Sequence, residues 1–485
     1  MTQIRAAFVK AGPPPADSVP SSAVDPAPPS SWNVTPWLVV VLAVVLFSGG
    51  LFGYDQGVIS GALHGIKATF SLSALLVEVV TSWVTLGALL GALAGGDLAD
   101  RLGRKRAVLI AGAMFALGSV VQGLAPDVPV LVCGRLIVGT GVGVAAVAAP
   151  LYAAELAPTA LRGRFVSAYQ LAITIGIFLA YLVDGWLAKS DAWRWMLGVS
   201  AIPGLLLFSV TLIAPESPRW LMKIGRRNDA SAQLEKIHPG VDSKPSLDTI
   251  EQALRQEGGH ASWGEVFSKT WRRPLLIGVG LAVFQQITGI NAIIYYADQI
   301  FAAAGFTTQS SQTTITTWAI GGVNVLATFI AIAFIDRIGR RKLLLTGLLG
   351  MGSSLLVVGA AFEFIVAGPA SSSPSVAGLV TLVALVIFII CFAFSMGPVT
   401  WTVINEIFPG HIRGRAVAVT TAVNWGAAFL VSQVFLSVID AIGSSFAFWV
   451  FALFCGIGLV WVYFSVPETK GRSLEDIQKI WSVGA

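Results

Sequence analysis

Three short segments of this 485-residue chain occur twice, about half a chain apart. Glu155-Leu-Ala-Pro158-x-x-x-Arg162-Gly163-Arg164 returns as Glu406-Ile-Phe-Pro409-x-x-x-Arg413-Gly414-Arg415, an offset of 251 residues. Asp100-Arg101-Leu-Gly103-Arg104-Lys105 returns as Asp336-Arg337-Ile-Gly339-Arg340-Arg341, an offset of 236, and Pro215-Glu216-Ser-Pro-Arg219 is echoed by Pro467-Glu468-Thr-Lys470-Gly471 at 252. A fixed internal period constrains architecture before any local signal does. This one is too long for a solenoid, and each unit holds several long apolar runs. The chain therefore reads as two homologous membrane halves joined in parallel.

The composition fits: 55% of residues are apolar and 12% charged, against a soluble norm of about a quarter charged. A helical span needs about 20 mainly apolar residues. Twelve such stretches are predicted, centred near Val45, Gly87, Met114, Gly141, Ile175, Ile202, Phe284, Ala327, Leu348, Phe388, Ala427 and Leu459. The expected fold is an all-α membrane protein of two six-helix halves, 36–214 and 274–466, related by pseudo-two-fold symmetry.

Charge orients this bundle. With twelve spans both termini share a side, and 27 of the 31 Lys and Arg residues then fall there. Lys67, Lys189 and Arg194 fall on the other side, and Arg135 lies inside a span. The positive-inside rule makes the basic side cytoplasmic, so the net charge of +5 reflects topology rather than nucleic-acid binding, and no interleaved basic and aromatic patch argues otherwise. Residues 1–35, rich in Pro and Ser, read as a disordered cytoplasmic tail with no cleavable signal. Residues 215–273 read as cytoplasmic linker helices and 467–485 as a cytoplasmic C-tail. Cys133, Cys391 and Cys455 fall within spans, with no disulfide framework. No metal site, cofactor motif or nucleophile–base pair is visible, so an enzyme is disfavoured. His64, His238, His260 and His411 lie in or near predicted loops.

The repeated motifs place charges of both signs on the basic face: Asp100, Arg101, Arg104, Glu155, Arg162, Glu216 and Arg219 from the first half, and Asp336, Arg337, Arg340, Glu406 and Arg413 from the second. Gly103 permits a positive φ in a tight turn. A carboxylate there can pair with arginines and cap a helix start. One reading is a latch between the halves that closes the basic face; the other is that the charges only set topology.

Phe52-Gly53-Tyr54-Asp55, the paired Asp-Arg-x-Gly-Arg turns, Pro215-Glu-Ser-Pro-Arg-Trp-Leu221, Phe284-Gln-Gln-Ile-Thr-Gly-Ile-Asn291 and Pro467-Glu-Thr-Lys-Gly471 closely resemble the sugar porters of the major facilitator superfamily. The resemblance runs from about Leu51 to Ile477 and implies alternating-access transport of a monosaccharide across a lipid bilayer, without a cofactor.

A sugar ring is neutral, its hydroxyls both donate and accept, and its C–H faces are apolar. Amides answer the hydroxyls without a charge, and aromatic rings cover the faces. Polar side chains inside spans are costly and therefore conspicuous. Amides concentrate in the second half, with Gln285, Gln286 and Asn291 near Tyr295, Asn324 on the eighth span, and Asn424 beside Trp425. Gly289 lies between them, where a helix break is expected. The competing reading is interhelical hydrogen bonding alone. By resemblance, Gln170, Gln285, Gln286, Asn291, Asn324, Trp401 and Asn424 match sugar-contacting positions, and Phe52, Phe392 and Trp425 match aromatic lining. Ile177 and Asn424 follow the pattern of animal glucose carriers, which tilts the expected substrate towards hexose; pentose or a cyclitol such as inositol is the alternative.

Coupling turns on Asp55. Charged and unpaired at mid-membrane it would cost about 2.5–3.5 kcal/mol, so it must pair with a cation or take up a proton. Arg135 is the natural partner. An aspartate that loses its arginine as the bundle rearranges takes up a proton, and by resemblance proton-coupled members carry Asp here. The alternatives are a static ion pair in a passive uniporter, or a non-transporting sugar sensor. The reading is a proton-coupled sugar importer in the cell membrane that functions as a monomer, with sugar, protons and lipid as partners and no nucleic acid.

Overall fold

The computed structural model describes residues 35–158, 162–188, 192–237, 239, 242–256, 263–364 and 376–470. The expected tail 1–34, residues 471–485 and the side chains of Arg162, Asp336 and His411 lie outside the described residues. No strand occurs among those described.

Twelve helices are long and apolar enough to cross a membrane. In the first half they are Pro36–Phe70, Ala74–Leu102, Arg104–Gly123, Val128–Leu156, Gly163–Leu187 and Trp193–Ile213. In the second half they are Arg272–Tyr295, Gln309–Phe334, Arg340–Phe364, Val376–Ile407, Ile412–Ile442 and Ser444–Ser465. The first span runs further than its apolar core around Val45 predicts. Thr35, expected in the tail, caps it by accepting from the Leu38 N–H, with Pro36 in the first turn. The helix then continues through Tyr54-Asp55-Gln56, where hydropathy falls because the bundle buries the polar groups. Arg272 and Arg273, expected in the linker, form the first turn of the seventh span. Between the halves, the helices Pro218–Lys223, Arg227–Ile237, Ser243–Gln256 and Trp263–Val266 connect the sixth span to the seventh. The first three share a small apolar cluster of Trp220, Leu221, Ala230 and Leu247.

Lipid tails are as apolar as leucine, so helices here associate by close backbone approach rather than by water exclusion. Gly49, Gly53, Gly57 and Gly61 fall every fourth residue and present one smooth face of the first span to the fifth. A Cβ at Gly53 would stand 1.8 Å from the Ile173 carbonyl oxygen.

The helices break in three places that bear on the site. The seventh span stops at Ile287 and restarts at Ile290 across Gly289, whose φ of +94° favours glycine. The tenth breaks at Ser395 between Val376–Phe394 and Met396–Ile407. The eighth carries a π-helical stretch, Thr316–Gly322, of the kind frequent at functional sites.

Among the described residues the hydrogen bonds between the two halves that follow lie at mid-span or towards the ends away from the Asp-Arg-x-Gly-Arg turns. Tyr181 Oη donates to the Ile294 carbonyl at 2.9 Å and Thr317 Oγ1 to the Tyr181 carbonyl at 3.0 Å. Ser82 Oγ reaches Gln433 at 2.7 Å, Lys67 Nζ reaches Gln299 at 3.3 Å, and buried Glu78 accepts from the Ser437 N–H and Oγ at 2.6 and 2.7 Å. These contacts form a seal on the face opposite the basic turns.

Candidate functional site

At mid-span the break in the seventh helix gathers amides from three spans into a chain. Gln285 Nε2 donates to the Met396 carbonyl at 2.7 Å, beside the tenth-span break. Asn424 Nδ2 donates to Gln285 Oε1 at 2.8 Å and to the Ala282 carbonyl at 3.0 Å. Gln286 Nε2 donates to Asn424 Oδ1 at 3.1 Å, and Asn291 Nδ2 to Gln286 Oε1 at 2.8 Å. The chain crosses to the first half through Gln56, whose Nε2 donates to Asn291 Oδ1 at 3.3 Å. Each buried amide thus has hydrogen-bond partners, which avoids the penalty of an unpaired buried polar group. The same donors and acceptors suit hydroxyls that exchange with them one for one.

Aromatic rings border the chain. Phe52 meets Trp425 edge-on across the two halves, with centroids 5.1 Å apart, and Tyr295 is buried and bonded to Gln56. Of the expected substrate residues, the structure therefore brings together Gln285, Gln286, Asn291, Asn424, Phe52, Trp425 and Tyr295. Asn324 is buried, while Gln170, Trp401 and Phe392 are half-buried, and these four stand outside the amide chain. Phe392 packs at the tenth-span break against Gly397. Sequence reasoning missed Gln56. Its signal was present, since it is a second polar residue in an apolar helix, one turn beyond Phe52.

Next to Gln56 stands Asp55. Arg135 Nη1 donates to Asp55 Oδ1 at 2.9 Å, with Arg135 0% and Asp55 5% exposed. Arg135 also donates from Nε to the Val80 carbonyl at 3.1 Å and from Nη2 to the Thr81 carbonyl at 3.3 Å. The guanidinium is therefore anchored to the second span whether or not Asp55 stays. One peptide link joins this ion pair to the amide chain.

On the basic face the repeated motifs build the same network twice. In the first half Arg104 donates to both oxygens of Glu155, at 3.1, 2.9 and 2.8 Å, and to Asp100 at 3.0 Å. Ser217 also bonds Glu155. Glu216 accepts from the Lys105 and Ser217 N–H groups at 3.1 and 2.8 Å. In the second half Arg340 donates to Glu406 at 3.1 Å, Thr469 donates to Glu406 at 2.5 Å, and Glu468 accepts from the Arg340 and Arg341 N–H groups at 2.9 and 3.2 Å. Gly103 and Gly339 have φ of +102° and +101°, and a Cβ at either would stand within 3 Å of the capping glutamate. Those glutamates place negative charge at helix starts, where the dipole favours it. Burial nonetheless pushes the Glu216 carboxyl above its usual range.

Among the described residues Arg104 and Arg340 each pair with an acid of their own half, and Arg340 and Arg413 engage further groups as well. Arg413 donates to the Phe408 carbonyl at 3.1 and 3.0 Å, and Lys223 pairs with Asp100 at 3.1 Å. Arg337 lies over the Phe334 ring, Arg101 is exposed, and Arg219 engages a further partner. Such pairing follows from a motif repeat in which each half carries its own arginine and its own acids.

Comparison with known proteins places this geometry in a family. A profile of the Sugar (and other) transporter family matches residues 41–481. The chain is 39% identical over 441 residues to the galactose-proton symporter of Escherichia coli (strain K12), covering 90% of this chain and 93% of that one. It is 35% identical over 467 residues to the arabinose-proton symporter of Bacillus subtilis (strain 168), covering 94% and 98%. The chain belongs to the sugar porter family of the major facilitator superfamily. A solved structure of the xylose transporter XylE from E. coli, in a partially occluded inward open conformation, superposes with a TM-score of 0.77 at 31% identity, covering 90% of this chain and 99% of that one. This sugar porter is thus a multi-pass membrane transporter and not an enzyme. Among the described residues no cluster of His, Cys, Asp and Glu suits a metal ion.

Proposed function

We propose that this sugar porter imports a monosaccharide together with a proton by alternating access. The observation that carries the reading is the single peptide between Asp55, paired with buried Arg135, and Gln56, bonded to Asn291 of the amide chain. A sugar hydroxyl that displaces Gln56 from Asn291 pulls on the helix turn that presents Asp55 to Arg135. Protonation of Asp55 weakens the charge-assisted bond and frees the first span to move. The arginine meanwhile stays on the Val80 and Thr81 carbonyls.

The basic face is read as cytoplasmic, so the seal on the opposite face makes this an inward-facing state. Gln170, Asn324, Trp401 and Phe392 then line the route as the halves move. Both termini are cytoplasmic, the membrane is the cell membrane, and the working unit is the monomer. A transmembrane potential supplies about 2.3 kcal/mol per 100 mV for each proton carried inward, enough to concentrate sugar. Ile177 and Asn424 favour hexose, and named relatives handle galactose, arabinose and xylose. Uptake of labelled glucose, galactose, xylose, arabinose and inositol into proteoliposomes, each competed by the others, tests substrate class. The reading expects saturable uptake with hexoses as the strongest competitors. A pentose or cyclitol that competes best removes the hexose assignment, and no uptake of any of the five removes the transport reading.

A further inference from the structure

The seal opposite the basic face contains two carboxylates that the amide chain and the Asp55 pair do not use. Asp184, on the fifth span, is 1% exposed, and Asp298, at the outer end of the seventh, is 8% exposed. They come from different halves and attach to adjacent residues of the first span. Asp184 Oδ2 accepts from the Gly61 N–H at 3.1 Å, and the Asp298 N–H donates to Ser60 Oγ at 3.2 Å. Asp298 Oδ1 also accepts from Thr316 Oγ1 at 2.5 Å, at the start of the π-helical stretch. Asp184 Oδ1 is buried with no hydrogen-bond partner. Anchored to consecutive residues of the first span, the two aspartates are neighbours of like charge.

The neighbouring groups leave this acidity uncompensated. Arg135 is committed to Asp55, while Lys67 bonds Gln299 and faces Asp440. Tyr54 stands near Asp184 and Asp55, and Tyr181 near Asp298 and Asp184, but their hydroxyls donate to the Met196 and Ile294 carbonyls. Tyr295 bonds Gln56, and His64, on the first span, is exposed. Glu78, also in the seal, is held by the two Ser437 donors.

We propose that Asp184 and Asp298 hold one proton between them, so that the outer seal is a second proton-binding site, distinct from Asp55. Two buried carboxylates that share a site do not both remain ionised, and one proton halves their charge, removes the like-charge repulsion and supplies a donor. As the seal closes, a hydronium ion from the outer solution gives its proton to one carboxylate and leaves as water. As the seal opens, both carboxylates hydrate and the proton returns to water on the same side. This proton is not carried across; it makes closure of the seal depend on outside pH. The proposal goes beyond sugar–proton coupling and does not depend on it.

The test uses the full chain with Asp55→Asn to silence the first site, Cys133→Ser, and spin labels at Ala74→Cys and Ala302→Cys. Both label positions are exposed, lie at outer helix ends, and belong to different halves. Electron–electron distance distributions are recorded from pH 5 to 8. One proton bound on closing predicts that the open-to-sealed ratio rises about tenfold per pH unit between the titration point of the open form and that of the sealed form, and levels off above the latter. Asp184→Asn keeps an acceptor for Gly61, Asp298→Asn keeps one for Thr316, and each should flatten the profile. If one variant fails to fold, the other decides. A profile flat before either substitution overturns the proposal. So does a slope that survives in a folded variant.

Discussion

At the residue scale, the amide chain and the ion pair carry separable jobs. Gln286→Ala or Asn291→Ala removes donors and acceptors that a buried hydroxyl would use. Leaving such a group unsatisfied costs about 1–3 kcal/mol, or about five- to 150-fold in affinity. Calorimetric or scintillation-proximity binding to the purified, folded variants should show that loss, and unchanged affinity in both would remove the amide chain from the site. Gln56→Leu is more selective, because it leaves Asp55 and Arg135 in contact while severing the bond to Asn291. It should lower the number of protons taken up per sugar more than it lowers sugar affinity, as read by paired pH-dye and radiolabel uptake. A preserved ratio would mean that the two sites communicate by another route.

Asp55, Arg135 and the amides of the second half were legible because each is a polar group in an apolar helix. Gln56 carries the same polar signal, but its bond to Asn291 was not legible. A helix rotates about 100° per residue, and nothing in the sequence states which neighbour lies on Gln56's side. The same ignorance of helix rotation separates Asn324 and Gln170 from the amide chain. Asp184 and Asp298 stayed hidden because each acquires meaning only once the fifth and seventh spans meet.

At the element scale, the breaks divide into those the sequence announces and those it does not. Gly289 stands between amides and forecasts the interruption of the seventh span; Gly103 forecasts its turn. The π-helical Thr316–Gly322 has no marker residue and packs against Phe178 and Tyr181 of the fifth span. Gly289→Ala places a side chain at φ +94° and 2.7 Å from the Phe451 ring. Strain of this kind costs about 1–3 kcal/mol, so thermal unfolding in detergent should shift downward by several degrees. Gly456→Ala, where a Cβ meets nothing within 4 Å, should not shift it. Equal behaviour of the two would show that the break does not need glycine.

At the scale of the whole molecule, the repeat read from the sequence became two matching halves, each locked on its basic face by its own arginine and acids. That the charges mattered was legible. Their partners were not, because a linear sequence does not distinguish pairing within a half from pairing across halves. Glu406→Gln weakens the Arg340 pair far from the amide chain, so it can only bias the equilibrium between states. Maximal transport rate should fall while sugar affinity holds within about twofold, and a pure affinity defect would contradict this.

The central claim is that sugar and proton cross together through Asp55. Asparagine there is neutral and nearly isosteric, and so mimics the protonated carboxyl. Losing the charge partner of buried Arg135 also costs stability, of order 3–5 kcal/mol when a buried pair is broken, which the retained Arg135 bonds to Val80 and Thr81 partly offset. Purified protein is reconstituted into vesicles with a trapped pH dye and an imposed pH gradient, and sugar entry and lumen acidification are followed together. The account predicts that the wild-type protein acidifies the lumen as sugar enters, whereas Asp55→Asn exchanges sugar without proton movement or accumulation. Wild-type sugar entry that is equally fast with and without the gradient, and unaccompanied by acidification, would contradict it.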